Sequence, residues 1–462
     1  MNTYQEFINQ SFELPQEEFE VDDSSLLFNG VNLEKLIAKH GTPLRLTYLP
    51  KIGDKIQSAR KMFSNAFKEH SYKGEYMYTY CTKSSHFSFV LDEVLKQNAQ
   101  IETSSAFDIA LVRRLFKEKK ITKELHILAN GYKRPLYTQY LTELINDGFK
   151  NCTPIIDNLG EIEAYKNGVK EKCQIGIRVA TDEEPSFTFY TSRLGVRYAD
   201  VPSLYDTHIA NDDRFSLKLL HFFINTGVGD RPYYWNELSK FVTLYCNLKA
   251  RCPDLDTIDI GGGLPALTQL ETSYDHQTMI TDIIGYIKDI CDQHGVPEPH
   301  IITEFGTYTV AESGAMLYSI LDQKLQNDKE LWYMIDGSFI TNLPDIWGLN
   351  QEYIMLPINC WDQTYNKVNL GGLTCDSKDY YNSERHKAEI ILPLRKKDSP
   401  LHIGFFHTGA YQESLGGFGG IQHCLVPHPK HIILKKDDSG MIIDTVFAEE
   451  QNEDRVLEIL GY

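Results

Sequence analysis

The sequence predicts an α/β protein, in which a parallel (β/α)8 barrel is followed by an antiparallel β domain. Between about residues 43 and 306, short β-rich runs alternate with amphipathic helical stretches at the spacing of repeated βα units. After about residue 315 the pattern changes to short β-rich runs separated by turns, with few helical stretches. A doubly wound open sheet is the main alternative for the first part of the chain.

Nine runs are candidate strands of the first part, of which a barrel needs eight. Several are apolar on both faces, as buried parallel strands should be. They are PLRLTYL, YMYTYCTK, QIETSS, LHILANG, CTPIIDN, QIGIRVA, LKLLHFFIN, TIDIGGG and HIITEFG. The second part offers ELWYMID, EYIMLPI, AEIILPL, LHIGFF and HIILKK. We therefore expect an N-terminal segment at 1–42 that packs with the β domain, the barrel at 43–314 and the β domain at 315–462.

The composition limits which cellular compartment and which binding partners we expect for the protein. Nine cysteines without a CxxC pair favour reduced thiols in a cytoplasm and no zinc or other metal site. The N-terminus lacks the features of a signal peptide, and no apolar run approaches the length of a membrane span. A net charge of −18 repels nucleic acid and anionic membranes, so we expect neither as a partner.

The ends of the predicted barrel strands carry the candidate functional residues, because functional groups in such barrels lie at the C-terminal ends of strands. In chain order they are Lys83, Glu102, Ser104, Ser105, Asn130, Arg178, Asn225, Thr226, Gly261, Gly262, Gly263 and Glu304. This set brings together an amine, a run of glycines and a carboxylate.

The glycine run in IDIGGGLP follows an apolar strand, where bare N–H groups can form a concave nest for a phosphate. A tight turn that needs positive φ is the plainer alternative. Together with Lys83, a nest suggests pyridoxal 5'-phosphate, whose aldehyde would form a Schiff base with the lysine. Glu304 could pair with the ring nitrogen and keep it protonated, so that the ring accepts the electron pair released at Cα. An ordinary strand-end carboxylate is the alternative for Glu304.

From about residue 40 to residue 423 the chain resembles, in order, the alanine-racemase-fold (fold type III, group IV) pyridoxal-phosphate decarboxylases of ornithine, arginine and diaminopimelate. YCTK resembles the family's Y-A-V-K, DIGGG its phosphate loop, GGLTCDSKDYY its G-P-T-C-D-S-x-D and HTGAYQES its G-A-Y. LPDIWGLNQEYIMLPINCWDQ is most similar to the P-D-x-W-x-x-x-Q stretch of biosynthetic arginine decarboxylases.

The resemblance implies roles for the matching residues. Lys83 would bind the cofactor covalently, and Cys375 would protonate the substrate carbon from across a two-fold homodimer. Asp345 and Asp376 would hold the distal end of the substrate, since an aspartate can accept two bonds from a guanidinium. The implied cofactor contacts are Lys83, Glu102, Arg178, Phe223, Thr226, Gly261, Gly262, Gly263, Glu304 and Tyr411. Without its TCDS context Cys375 would be interpreted as a structural thiol, and Asp345 could instead cap a helix.

Two departures from the family pattern stand out. Phe223 occupies the position of the histidine that stacks on the pyridine ring, while His221 is retained two residues earlier. Thr307 stands where the family's E-P-G-R stretch has a phosphate-binding arginine, which leaves more of the phosphate binding to the glycines, Thr226 and Tyr411.

The resemblance implies that the protein decarboxylates a basic L-amino acid. Because the chain is most similar to biosynthetic arginine decarboxylases, the implied reaction is conversion of arginine to agmatine in polyamine synthesis. Citrulline, diaminopimelate, lysine and ornithine are alternative substrates. An amino-acid racemase would need a tyrosine base opposite the lysine in place of the TCDS cysteine. A non-catalytic pyridoxal-phosphate-binding protein would lack the C-terminal β domain.

Overall fold

The computed structural model describes residues 17–181, 192–224, 231–268, 270, 274–386, 389–396, 399–413 and 420–462. They form two compact units. The barrel unit comprises Gly53–Pro265 and Tyr274–Thr309, and the β unit comprises the described residues up to Ile52, within 266–273 and from Val310 to Tyr462. Within the described ranges, every helix is too short or too polar to cross a bilayer.

The β unit takes its first elements from the N-terminal part of the chain. They are β1 (Phe19–Asp22), β2 (Ser25–Phe28), β3 (Val31–Asn32), α1 (Leu33–His40) and β4 (Leu44–Tyr48). Strands β1 to β3 form a small antiparallel sheet. Asn32 starts α1, because its side chain accepts a hydrogen bond from the Lys35 N–H.

The barrel unit contains eight parallel strands that close on themselves. Its elements are α2 (Pro50–Glu69), β5 (Tyr76–Cys81), α3 (Ser88–Lys96), β6 (Gln100–Thr103), α4 (Ala106–Lys117), β7 (Ile127–Ala129), α5 (Pro135–Asn146), β8 (Cys152–Ile156), α6 (Leu159–Gly168), β9 (Cys173–Ala180), β10 (Val196–Arg197), α7 (Val201–Leu204), β11 (Phe215–Phe222), α8 (Arg231–Lys249), β12 (Thr257–Asp259), α9 (His276–His294), β13 (His300–Phe305) and α10 (Thr307–Val310). The ring runs β5-β6-β7-β8-β9-β11-β12-β13 and returns to β5, and β10 pairs with β9 outside it. The predicted barrel is confirmed.

The rest of the β unit is built on a second large sheet. Its elements are β14 (Gly314–Gln326), β15 (Glu330–Ile335), α11 (Phe339–Asn342), α12 (Pro344–Leu349), β16 (Ile354–Pro357), β17 (Tyr365–Lys367), β18 (Asn369–Gly371), β19 (Tyr380–Tyr381), α13 (Ser383–His386), β20 (Ile391–Pro393), β21 (His402–Phe406), β22 (Lys430–Lys436), β23 (Ile442–Ala448) and α14 (Glu453–Leu460). The sheet order is β19-β18-β15-β14-β4-β22-β23, and β21 pairs with β14 and β16. Most pairs are antiparallel, as predicted, but β4–β22 and β15–β18 are parallel.

One predicted barrel strand lies elsewhere. The run PLRLTYL forms β4, which pairs with β14 and β22 in the β unit rather than with any barrel strand. All five residues of β4 are buried, including the polar Arg45 and Thr47, and the residues of a single strand do not show which sheet it joins. The other eight candidate runs supply the eight strands of the ring.

Candidate active site

Lys83 lies in a short 3-10 turn, Thr82–Ser84, directly after β5. Its Nζ is 2.8 Å from Oε2 of Glu102 on β6. The Glu102 side chain is fully buried, whereas 42% of the Lys83 side chain is exposed, so the amine can meet an incoming molecule. Burial by itself would lower the pKa of Lys83, but Cys81, Glu102 and Glu304 raise it more, and the pKa lies well above its usual value. The hydrogen bond to Glu102 holds the Lys83 ammonium group in place, and the amine becomes a nucleophile when it loses its proton.

Glu304 on β13 is held by residues from two other strands. Asn130, which follows β7, donates from Nδ2 to Oε1 at 2.6 Å, and Nε2 of His221 on β11 lies 3.2 Å from Oε2. Burial alone would raise the pKa of Glu304, but His221, Lys83 and Asp259 lower it to about 2. Glu304 is therefore a buried carboxylate that keeps its negative charge at neutral pH.

Asp259, at the end of β12, is a second acid in the same cluster. It pairs in register with His221, and its Oδ1 accepts the Gly261 N–H at 2.8 Å. Donor atoms of His221, Asp259 and Glu304 lie within 4.8 Å of one another. Burial raises the pKa of Asp259 well above its usual value, and the neighbouring Glu304 raises it further. The two acids therefore share one negative charge, with Glu304 ionised and Asp259 protonated.

Several buried polar atoms around these acids have no hydrogen-bond partner among the described residues. They are Ser84 Oγ, Glu102 Oε1, Asn130 Oδ1, His221 Nδ1 and Asp259 Oδ2. Buried polar groups are nearly always paired in proteins, so this concentration indicates a place for a polar molecule. An accessible amine beside a buried, permanently charged carboxylate fits pyridoxal phosphate, which needs both groups.

The glycine run forms a turn in which glycine is required. Gly261 and Gly263 have φ of +69° and +102°, in the region that other residues avoid. A Cβ on Gly262 would lie 2.6 Å from the Glu304 carbonyl oxygen. The turn alone explains these glycines, so the phosphate nest stays a prediction.

Two further predicted cofactor contacts lie next to each other. The Arg178 guanidinium on β9 is 5.8 Å from the centre of the Phe223 ring, which follows β11, in a cation–π arrangement. Thr226, the predicted phosphate donor, lies outside the described residues.

The remaining predicted residues belong to the β unit. Asp345 Oδ2 accepts a 2.8 Å hydrogen bond from Gln412 Nε2, so its side chain is held by a glutamine rather than used as a helix cap. Burial raises the pKa of Asp345. Tyr411 has a φ of +68°, and Asp376 Oδ1 accepts the Lys378 N–H at 2.7 Å. Cys375 is exposed, which contradicts its interpretation as a buried structural thiol.

The sequence interpretation missed two buried groups. Asp259 is a carboxyl inside the apolar run TIDIGGG, and the cost of burying such a group was a usable signal. Lys133 forms a fully buried ion pair with Glu161 at 3.0 Å and donates to the Ile155 carbonyl oxygen at 2.6 Å. GYKRP gives no sign of this, because a lysine beside glycine and proline is typical of a surface loop.

Comparison with known proteins places this chain in a family. Residues 53–311, more than half of the chain, match the pyridoxal-binding domain of pyridoxal-dependent decarboxylases, and the match begins where the barrel unit begins. A biosynthetic arginine decarboxylase of Prochlorococcus marinus is 22% identical, with 94% of this chain and 85% of the relative covered.

Two solved structures share the fold. The biosynthetic arginine decarboxylase of Campylobacter jejuni has a TM-score of 0.79 at 21% identity, over 100% of this chain and 91% of the other. Diaminopimelate decarboxylase of M. jannaschii in complex with L-lysine has a TM-score of 0.79 at 16% identity, over 96% and 98%. The chain belongs to the pyridoxal-dependent decarboxylases.

Proposed function

We propose that this decarboxylase converts L-arginine to agmatine and carbon dioxide, for polyamine synthesis in the cytoplasm. The observation that carries the cofactor chemistry is that one barrel contains both an accessible Lys83 amine and the buried, ionised carboxylate of Glu304. The choice of arginine is supported by relatives named as arginine decarboxylases over most of the chain.

Each predicted cofactor contact has a proposed task. Bound pyridoxal phosphate supplies the electron sink for the bond that breaks at Cα. Lys83 would hold the cofactor covalently, and Glu102 orients the lysine side chain through the 2.8 Å hydrogen bond. Glu304 keeps the ring nitrogen protonated, since a carboxylate of such low pKa cannot take that proton away. The glycines at 261–263, Thr226 and Tyr411 bind the phosphate, and Arg178 and Phe223 complete the pocket.

The β unit supplies the remaining groups in this proposal, from the partner chain of a two-fold dimer. Cys375 delivers a proton to the substrate Cα, and Asp345 and Asp376 hold the guanidinium end. Two carboxyl groups suit a cation, and the net charge of −18 modestly favours approach of a cationic substrate.

Citrulline is the second candidate substrate, because of the surroundings of Asp345. A carboxyl whose pKa is raised by burial, bonded to the Gln412 amide, can offer hydrogen bonds to a neutral ureido group. An ionised pair of aspartates would favour the guanidinium instead.

A substrate panel tests this assignment. The purified protein, saturated with pyridoxal phosphate, is given arginine, citrulline, ornithine, lysine and diaminopimelate separately, and amines and carbon dioxide are quantified. We expect agmatine and equal carbon dioxide from arginine. Another amine in place of agmatine would remove the arginine assignment, and a D-amino acid without carbon dioxide would indicate a racemase. Bound cofactor without any turnover would indicate a binding protein.

A further inference from the structure

Two thiols and an imidazole meet in the β unit, from segments far apart in sequence. Cys375 Sγ lies 3.3 Å from Cys424 Sγ, and His423 Nδ1 lies 3.1 Å from the same Cys424 sulfur. The three donor atoms lie within 4.8 Å of one another. Both cysteines are exposed, so a dissolved ion can reach them.

The Cys424 sulfur has three polar neighbours. The backbone N–H of Cys375 donates to it at 3.4 Å, and the Cys375 thiol and the His423 ring are its two other neighbours. The thiolate is the form of cysteine that binds metals, so metal binding at this cluster would release the thiol protons.

The orientation of His423 also suits a metal ligand. Its Nδ1 faces the thiols, while Nε2 lies 3.9 Å from Asp376 Oδ2 on the opposite side of the ring. A metal-bound histidine usually donates its other ring N–H to a carboxylate, and Asp376 lies on the right side of the ring for this bond, although 3.9 Å exceeds hydrogen-bond distance until the side chains move closer. Asp376 is itself held by the Lys378 N–H.

The backbone around Cys424 adopts an unusual conformation. Cys424 and Leu425 have φ of +55° and +52°, which residues other than glycine and asparagine seldom adopt. Such outliers concentrate at functional sites, where the surrounding structure holds them. Here the turn presents His423 and Cys424 together to Cys375.

We propose that Cys375, His423 and Cys424 bind a divalent zinc-class ion and leave one coordination position open. Two thiolates and an imidazole are a typical zinc donor set. A tetrahedral zinc with Zn–S of about 2.3 Å and Zn–N of about 2.0 Å separates two sulfurs by roughly 3.8 Å and sulfur from nitrogen by roughly 3.5 Å. The observed 3.3 Å and 3.1 Å need an opening of only a few tenths of an ångström.

This site revises the expectation of no metal, which relied on the missing CxxC spacing. The donors come from residue 375 and from 423–424, so only folding brings them together. One consequence rests on the proposed function: a metal on Cys375 removes the sulfur that protonates the substrate, and the ion is then a reversible inhibitor.

Metal binding is tested on the full-length holoprotein, reduced and freed of metal. We expect one Co²⁺ per chain, with the near-ultraviolet absorption of cobalt bound to thiolate, and displacement by Zn²⁺. Cys424→Ser and His423→Ala should each weaken binding by about tenfold or more. Cys360→Ser alters a half-buried thiol outside the cluster and should keep the signal. Far-ultraviolet circular dichroism checks that each variant is folded.

Three outcomes would overturn the site: no cobalt absorption in the native chain, equal binding by Cys424→Ser, or a Cys375–Cys424 disulfide that forms in a protein unable to bind metal.

The effect of zinc on decarboxylation is measured in a separate experiment. Zinc that lowers decarboxylation in the native chain supports the inhibitory consequence. Bound zinc without any loss of activity would leave the site in place and instead contradict the proposed role of Cys375.

Discussion

Glu304 and Asp259 are similar acids in one buried cluster, yet they hold different charges. Glu304 has a histidine and an asparagine amide at its oxygens, whereas Asp259 has one backbone N–H and one unpaired oxygen among the described residues. The acid with more hydrogen-bond donors and nearby positive charge ionises first, and its charge then raises the pKa of the other. In the proposed function only the ionised acid keeps the ring nitrogen protonated, so the neighbours of the two acids, rather than their residue types, favour Glu304 for this role.

This assignment predicts different effects for two matched variants. Glu304→Gln removes the charge and should lower kcat by roughly a hundredfold or more, with weaker cofactor binding. Asp259→Asn replaces an acid that is already neutral with a neutral amide, so the loss should be much smaller. Both are measured as kcat, KM and the dissociation constant of pyridoxal phosphate. Equal losses in the two variants would contradict the charge assignment.

At the level of elements, the sequence predicts the strands of the barrel well and their partners less well. Eight predicted strands form the barrel, because a chain in which strands alternate with helices can adopt few other topologies. The prediction placed β4 in the wrong sheet. Its partners β14 and β22 are more than 250 and nearly 390 residues away in sequence, and a local sequence pattern does not show such distant pairing. Strand ends indicated Lys83, Glu102 and Glu304, which lie in one barrel in the structure, while their roles stay predictions. The cluster of Cys375 with residues 423 and 424 could not be predicted, because no short-range spacing links its halves.

The first strand of the β unit is tied to the sheet by a buried ion pair. Glu18, next to β1, lies 2.9 Å from Nε2 of His407, which follows β21, and 3.2 Å from the Lys51 Nζ. Burial alone would raise the pKa of Glu18, but His407 and Lys51 lower it from its ordinary 4.5 to about 2. The ionised form thus stabilises the folded state.

The lowered pKa of Glu18 predicts how stability depends on pH. Its contribution is complete above pH 4.5 and is lost as the pH falls toward 2, up to roughly 3 kcal/mol. Glu18→Gln should therefore lower the melting temperature at pH 7, and the difference from the native chain should shrink between pH 5 and 3. Glu17→Gln, at an exposed neighbour, is the control. A difference that is constant with pH would contradict the ion pair.

At the level of the whole molecule, the proposed catalytic groups are divided between the units. Lys83, Glu102 and Glu304 belong to the barrel unit, which the family match covers, whereas Cys375 and Asp376 belong to the β unit. In the proposed dimer each site takes its lysine from one chain and its cysteine from the other. In such a dimer a chain without Lys83 damages its own site, whereas a chain without Cys375 damages the site of its partner.

The division between units predicts complementation between two inactive variants. Lys83→Ala cannot bind the cofactor covalently, and Cys375→Ala lacks the proposed proton donor, so each alone should form little agmatine. After the two are mixed and their subunits exchange, half of the dimers contain one chain of each kind, and one of the two sites in such a dimer is intact. Agmatine formation should therefore recover to about a quarter of the native rate.

A mixture of Lys83→Ala with the double variant Lys83→Ala/Cys375→Ala contains no intact lysine and should stay inactive. No recovery in the first mixture, once subunit exchange is verified by native mass spectrometry, would show that the lysine and the cysteine of one site come from the same chain.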